Sequence, residues 1–481
     1  MTVMSDESRG MSSAAPYQQA IEHRRGTLSL VATALLAGVV LGASIALGNP
    51  SGGAVTVLSA AFVPVVFRRP EVGLMAFVAV ANLLPFAVLP VRIVFSPTLV
   101  DFTLSTLLAA WLFRAIRRGG PVLVGPLGLL VIVYLGLALT SFLLGLGNFI
   151  APERIRLFLK SINSTLLFFS ALNCVVTRTQ LRHATMALLC CGWIAAVIAL
   201  IIQFMPQTNA VQVLTALGPL GYPTGPDMLR PIAGTEVLRA IGTSVDPNVL
   251  GGLMMMVSAL LLGQLFAPHP LIGRGLLWPM LATTVAALLL TQSRSAMGGL
   301  VVAAVLLGTF KDRRLLLLLL GAAVALPFIP QASLLVARLQ SGVAFQDRAA
   351  AMRLDEYANA LNTIAAYPWF GIGFGDPPSI NLYLGVSSIY LLIGQEMGLI
   401  GLSAFLAILG TLARQIVLGL RASGNQETHG ILMSLAAALS AACAAGLLDH
   451  YYVNIVFPHM VGLFWLYVGL AAVTVRKARE G

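Results

Sequence analysis

The chain has 481 residues, 58% of them apolar and only 10% charged, and its mean hydropathy is +0.90. So little charge cannot cover a soluble globular domain of this length, so the composition excludes one and specifies a polytopic membrane protein. The net charge of +11 is split into short basic clusters between apolar runs, which excludes a nucleic-acid surface and points to membrane topology and anionic lipid headgroups.

In chain order, residues 1–27 are polar and end in His23-Arg24-Arg25, and the apolar run after them is too long for a signal-peptide core. They are expected to be a cytoplasmic tail before a first anchor. Apolar runs long enough to span a bilayer then predict about 14 helices, at roughly 28–48, 52–67, 71–90, 98–113, 123–145, 157–176, 182–204, 247–266, 273–292, 295–310, 315–330, 388–413, 429–447 and 455–475. With the N-terminus inside, Arg68-Arg69, Arg114/Arg117/Arg118, Arg178/Arg182, Arg274, Lys311/Arg313/Arg314, Arg414/Arg421 and Arg476/Lys477/Arg479 all fall on inner loops. That alternation predicts an N-in, C-in topology. The expected organisation is an N-terminal transmembrane bundle (28–204), an outer loop (205–246) and transmembrane helices carrying an outer arginine motif (247–330). A long periplasmic loop (331–387), C-terminal transmembrane helices (388–475) and a cytoplasmic tail (476–481) complete it. Within the long loop, residues 352–361 have the pattern of a short amphipathic helix on the membrane surface. The fold class is all-α, a polytopic integral membrane protein.

Cys174, Cys190, Cys191 and Cys443 lie in apolar runs without metal-ligand spacing and read as small buried hydrophobes. The cations expected on the outer side are Arg92, Arg154, Arg156, Lys160, Arg230, Arg239, Arg294, Arg338, Arg348 and Arg353. Long outer loops escape the positive-inside bias, which accounts for Arg230, Arg338 and Arg348 as solvated charges. Arg239 and Arg294 stand at the outer ends of predicted helices, where an unpaired cation costs on the order of 1–3 kcal/mol. Two readings remain for this pair: bidentate contact with a phosphate, or a structural ion pair with the charge snorkelling to water.

Asp246-Pro247 reads as an N-cap followed by a first-turn proline, with Asn248 beside it. Tyr367-Pro368-Trp369-Phe370-Gly371-Ile372-Gly373-Phe374-Gly375-Asp376 has nucleotide-loop glycine spacing, but no strand precedes it. It is expected to be an interfacial turn anchored by Trp369 and Phe370. Tyr390 and Glu396 lie on the helix that follows. Glu396 is an acid well inside an apolar helix and requires a cationic partner, and Gly394, Gly398 and Gly401 permit close packing or a bend. Asp449-His450 joins the last two helices outside, either as a proton acceptor with its orienting carboxylate or as a helix-terminal polar turn. No third ligand stands at a spacing suited to a metal, and no Asp-x-Asp, Gly-Lys-Ser/Thr or serine-hydrolase elbow occurs. No metal or cofactor is therefore expected.

These motifs, in this order, resemble the O-antigen ligase and polymerase superfamily. The matching parts are Arg239…Asp246-Pro247-Asn248, Leu290-Thr291-Gln292-Ser293-Arg294-Ser295-Ala296, Arg353…Tyr367-Pro368-Trp369-Phe370-Gly371-Ile372-Gly373, Tyr390-Leu391…Gln395-Glu396-Met397-Gly398-Leu399-Ile400-Gly401-Leu402 and Asp449-His450-Tyr451. The resemblance covers about residues 239–470. It implies a GT-C-like fold and a glycan donor on undecaprenyl diphosphate at the outer leaflet of the bacterial inner membrane, with no metal or nucleotide. By resemblance Arg239, Arg294 and Arg353 take the cationic catalytic roles, with His450 and Asp449 as acid–base candidates. Arg348, Asn248, Glu396 and Tyr390 become substrate-binding candidates. Ligases usually carry a His-Asn pair where this chain has Ser387-Ser388, and that departure favours a polysaccharide polymerase over a ligase. A chain-length regulator and a flippase of the same pathway, together with membrane lipids, are the implied partners. A transporter is the alternative of another class. It would place its ionisable groups at mid-membrane in paired repeats, and no repeat is visible here.

Overall fold

The structure is a computed structural model, described at residues 50–89, 97–119, 122–145, 152–225, 228–232, 237–325, 348–375 and 386–480. The expected N-terminal tail, the first helix (28–48), Arg92 and residues 331–347 and 376–385 of the 331–387 loop, Arg338 and Asp376 among them, lie outside the described residues.

The described chain is helical almost throughout: α1 (Pro50–Arg68), α2 (Pro70–Leu83), α3 (Leu99–Arg118), α4 (Gly125–Gly145), α5 (Pro152–Cys174), α6 (Arg178–Phe204), α7 (Gln207–Thr215), α8 (Pro247–Leu265), α9 (Arg274–Thr291), α10 (Arg294–Phe310), α11 (Arg314–Ala325), α12 (Arg348–Ala366), α13 (Ile389–Ala422), α14 (Gln426–Ala445) and α15 (Pro458–Arg479). Among the described residues nine of these are long and apolar enough to cross a membrane: α3, α4, α5, α6, α8, α9, α13, α14 and α15. The protein is thus an all-helical, multi-spanning integral membrane protein. A two-residue ribbon, β1 (Arg230–Pro231) against β2 (Leu238–Arg239), pairs Arg230 with Arg239. Helix α1 belongs to one compact unit; α2 to α15 build another, which holds everything below.

Helices α8 and α15 form the hub, each 94% buried over its apolar window, whereas α3, α9 and α13 are 33% buried. The peripheral helices are as apolar as the hub, because in a membrane their outer faces meet lipid chains instead of water. Helix α15 packs on α5, α13 and α14; α8 packs on α9, α10 and α14. Several polar groups inside are paired, as the low dielectric favours: Ser258 with Thr284 (3.0 Å), and Gln264 with both Ser434 (3.0 Å) and the Leu271 amide (2.9 Å).

Several helix limits differ from the sequence expectation, and three of them have a local cause or consequence. The helix expected over 71–90 stops at Leu83, because Pro85 keeps Leu84 out of the helical region (φ −141°, ψ 55°). Helix α5 begins at Pro152, five residues early, since its first turns are amphipathic. Helix α13 runs to Ala422 instead of 413 and is broken within its length at Gly398 (φ 67°, ψ −173°). Its bond ladder is interrupted there, inside an apolar span, and the turn after α12 supplies the missing partners. Ile372 N–H donates to the Gln395 carbonyl (2.9 Å), Gly373 N–H to Glu396 (3.0 Å), and Leu399 N–H to Pro368 (2.7 Å). The Ser141 hydroxyl of α4 reaches the carbonyls of Phe370 (2.6 Å) and Glu396. The turn thus fills the break in α13, and among its described residues the Tyr367 and Trp369 side chains are exposed.

Candidate functional site

The N-terminal ends of α8, α10, α13 and α15 meet the C-terminal ends of α9 and α14 at one end of the unit. Ala240 N–H donates to Leu290 (2.9 Å), Ile389 N–H to Gly446 (2.8 Å), and the Tyr452 hydroxyl to Gly252 (2.9 Å). Gly252 has no side chain where the Tyr451 ring lies, so the 446–457 turn settles directly on the backbone of α8.

Arg239, on β2, is half-buried. Its Nε donates to the Thr291 carbonyl (2.8 Å) and its Nη2 to Asn248 Oδ1 (2.6 Å). Asn248 itself is held by the Asp246 cap, whose Oδ1 accepts from the amides of Asn248 (2.8 Å) and Val249 (3.0 Å). Asn248 therefore orients Arg239. A cavity of about 220 Å³, lined by Gln203, Met205, Gln207, Leu229, Arg239 and neighbours, opens beside this guanidinium.

Arg294 is the first residue of α10, following Gln292 in the left-handed region (φ 55°) and Ser293, 2% exposed. A cation at a helix N-terminus sits at the positive end of the dipole, where local electrostatics disfavour it. One residue on, the Ser295 hydroxyl donates to Asp449 Oδ2 (3.0 Å). Asp449 Oδ1 accepts from the His450 amide (3.0 Å), and the residue is only 5% exposed. Burial raises the Asp449 pKa, opposed by the charges of His450 and Arg353 and by the hydrogen bonds from the His450 amide and Ser295. Both carboxylate oxygens are thus committed to fixing the Arg294 turn against the 446–457 turn.

The His450 ring has a defined tautomer. Asn454 Oδ1 accepts the Val456 amide (2.9 Å), so the Asn454 Nδ2 donor faces His450 Nδ1 at 2.8 Å. Nδ1 must accept, so neutral imidazole carries its proton on Nε2. The uncommitted nitrogen is a donor, not a base.

Helix α12 brings Arg353 to this end. Its half-buried and buried face, Arg353, Glu356, Tyr357, Ala360 and Ile364, repeats at helical spacing and packs on α13. Tyr357 fastens it, donating to Ser387 (2.9 Å) or Leu447 (3.1 Å), and the Glu356 Oε2 accepts the Ser387 amide (2.9 Å). The charge of Arg353 bears on both Tyr357 and Asp449, and burial raises the Tyr357 pKa, so its hydroxyl stays a donor.

The remaining candidates lie apart from this cluster. Tyr390 donates its hydroxyl to the Cys443 carbonyl (2.9 Å), a bond between α13 and α14. Glu396, beside the break in α13, faces Tyr134, Ser161 and Thr165, and Arg154 is the cation whose charge acts on it. Of Arg348 only the backbone, at the start of α12, is described. Arg156 pairs with Glu153, Lys160 pairs with Asp101 (2.7 Å), and Arg230 is exposed. Ser295, Glu356 and Tyr357 were missed from the sequence. Their signals were there: Glu356 and Tyr357 stand three and four residues beyond Arg353, the spacing of one helix face.

Residues 279–406 match the family described as O-antigen ligase. The stretch runs from within α9, through the Arg294 turn, to the middle of α13. The resemblance expected from the motifs is found over this part of the chain. Among solved structures, a chain of a peptidoglycan synthase complex that coordinates polymerization and crosslinking is similar, with a TM-score of 0.43 and 15% identity over 74% of this chain and 98% of that one. A search of curated proteins finds no match. The family match on a multi-spanning fold supports a membrane polysaccharide function of ligase or polymerase type.

Proposed function

We propose that the protein is a glycosyltransferase that joins oligosaccharide repeat units carried on undecaprenyl diphosphate, a polysaccharide polymerase of exopolysaccharide or O-antigen type. The carrying observation is the gathering of Arg239, the Arg294 turn and Arg353 at one end of the unit, tied together through Thr291, Ser295 and Asp449. A diphosphate leaving group gathers negative charge as its bond to the anomeric carbon breaks. An Arg239 guanidinium preset by Asn248, with the Arg294 turn held through Ser295 and Asp449, would stabilise that charge without reorganising. Because arginines fill the cationic role, no metal or cofactor takes part. The setting is the bacterial inner membrane with the Arg294 end on the periplasmic side, and a flippase and a chain-length regulator act beside it.

Purified protein in proteoliposomes, given labelled lipid-linked repeat units, should lengthen the glycan; no elongation and no transfer would sink the proposal. A ligase remains the second reading, supported by the family matched at 279–406. The two separate in cells: loss of a polymerase leaves single lipid-linked units, whereas loss of a ligase leaves finished polymer on its carrier.

A further inference from the structure

Glycosyl transfer to a sugar hydroxyl needs a group to receive that hydroxyl's proton, and the titratable groups around Arg239, the Asp449 turn and α12 can be checked in turn. His450 presents a donor nitrogen, because Asn454 claims Nδ1. Asp449 is enclosed, with its two oxygens held by Ser295 and the His450 amide. Asp246 caps α8. Tyr357 is fixed as a donor to backbone carbonyls.

Glu356 differs from all of these. It stands one helical turn beyond Arg353 on the same face of α12, partly open to solvent. Oε2 accepts the Ser387 amide at 2.9 Å, which fixes the carboxylate plane. Oε1 has no hydrogen-bond or ion-pair partner among the described residues. A carboxylate anchored through one oxygen and open at the other is preset as a proton acceptor.

We propose that Glu356 is the general base: Oε1 takes the proton of the acceptor hydroxyl as its oxygen bonds to the anomeric carbon. The anomeric C–O bond to the diphosphate breaks, and the electron pair leaves with the lipid diphosphate beside the arginines. The proton passes from Glu356 to solvent. This assignment rests on the glycosyltransferase reading above. It places acceptor activation on α12 and leaving-group stabilisation on the α9–α10 turn.

The test compares Glu356→Gln, Glu356→Ala and Asp355→Asn with wild type in the proteoliposome elongation assay. Glutamine keeps an oxygen for the Ser387 amide but cannot take a proton. E356Q should therefore lose about 10²–10⁴-fold in kcat, with KM for the lipid-linked donor and the thermal unfolding midpoint unchanged. E356A should regain activity with added sodium formate, a response that a purely structural role for Glu356 would not give. D355N, on the exposed face of the same helix, should match wild type. An E356Q enzyme within threefold of wild type, or an E356A enzyme that formate leaves inert, overturns the base. An inert wild-type protein overturns the glycosyltransferase reading together with it.

Discussion

At the scale of single residues, the site is a set of charges whose freedom has been removed by neighbours. Arg239 is the clearest case: one arm is on a helix-end carbonyl and another on Asn248. Arg239→Lys keeps the charge but loses the planar fork, so elongation should fall about tenfold or more while the protein still folds. Arg294→Ala should abolish elongation and leave single lipid-linked units in cells; long polymer in that mutant would remove Arg294 from the mechanism. Asp449 makes a stability prediction with a definite sign. Its folded pKa is raised above the ordinary aspartate value by burial, so the folded state holds a proton that the unfolded state releases. Its contribution is most favourable at low pH and is lost as pH rises from the ordinary aspartate value through the folded one. Unfolding midpoints of wild type should fall across that window, and those of Asp449→Asn should be flatter. Ser295→Ala removes a donor from the buried carboxylate and should cost about 1–3 kcal/mol, read as a lower unfolding midpoint.

At the scale of elements, α12 and the break in α13 set the site's geometry. The turn at 368–373 repairs the broken ladder of α13 at Gly398, and Tyr357 docks α12 on the start of α13. Gly398→Val puts a β-branched residue at φ 67° and drives it into the Trp369 carbonyl. A loss of about 2–5 kcal/mol is expected, with activity falling in parallel, measured by thermal unfolding in detergent. Tyr357→Phe removes one hydroxyl only. It should raise amide exchange at 386–389 and 447–450 and weaken catalysis, with the global midpoint nearly unchanged. Much of this level was legible in the sequence: the helix starts at Pro247, Arg274 and Arg294 follow from capping and apolar runs. The break was readable only as a permissive glycine. What plugs it comes from residues 368–373, and no periodicity reports a contact at that separation.

At the scale of the molecule, the helix ends sort into two sets. One carries the Arg294 and Asp449 turns. The other carries Arg274 on the carbonyls of Leu265 and Ala267, and Arg476 on those of Leu172 and Val175. The proposed topology has the second set in the cytoplasm. A cysteine at exposed Leu448 should react with a membrane-impermeant maleimide from the periplasmic side, and one at Arg479 only after permeabilisation; the reverse would invert the topology. Elongation by the purified protein should also be unchanged by excess EDTA.

The sequence by itself determined the membrane class and the order of the helices, and it singled out Arg239, Arg294 and Arg353 as candidates. Charge and apolar length act locally, so those quantities survive reading along the chain. Only the tertiary structure decided what the polar residues at that end do. Packing puts Asn454 on His450 Nδ1, Ser295 on Asp449 and the Ser387 amide on Glu356. Whether a side chain is a donor, a fixed support or an open base depends on which of its atoms are already engaged. Two of those engagements join residues 31 and 154 positions apart in the chain, Glu356–Ser387 and Ser295–Asp449. The histidine that looked like a base is a donor because of a neighbour four residues on, and the glutamate that drew no notice stands open beside Arg353.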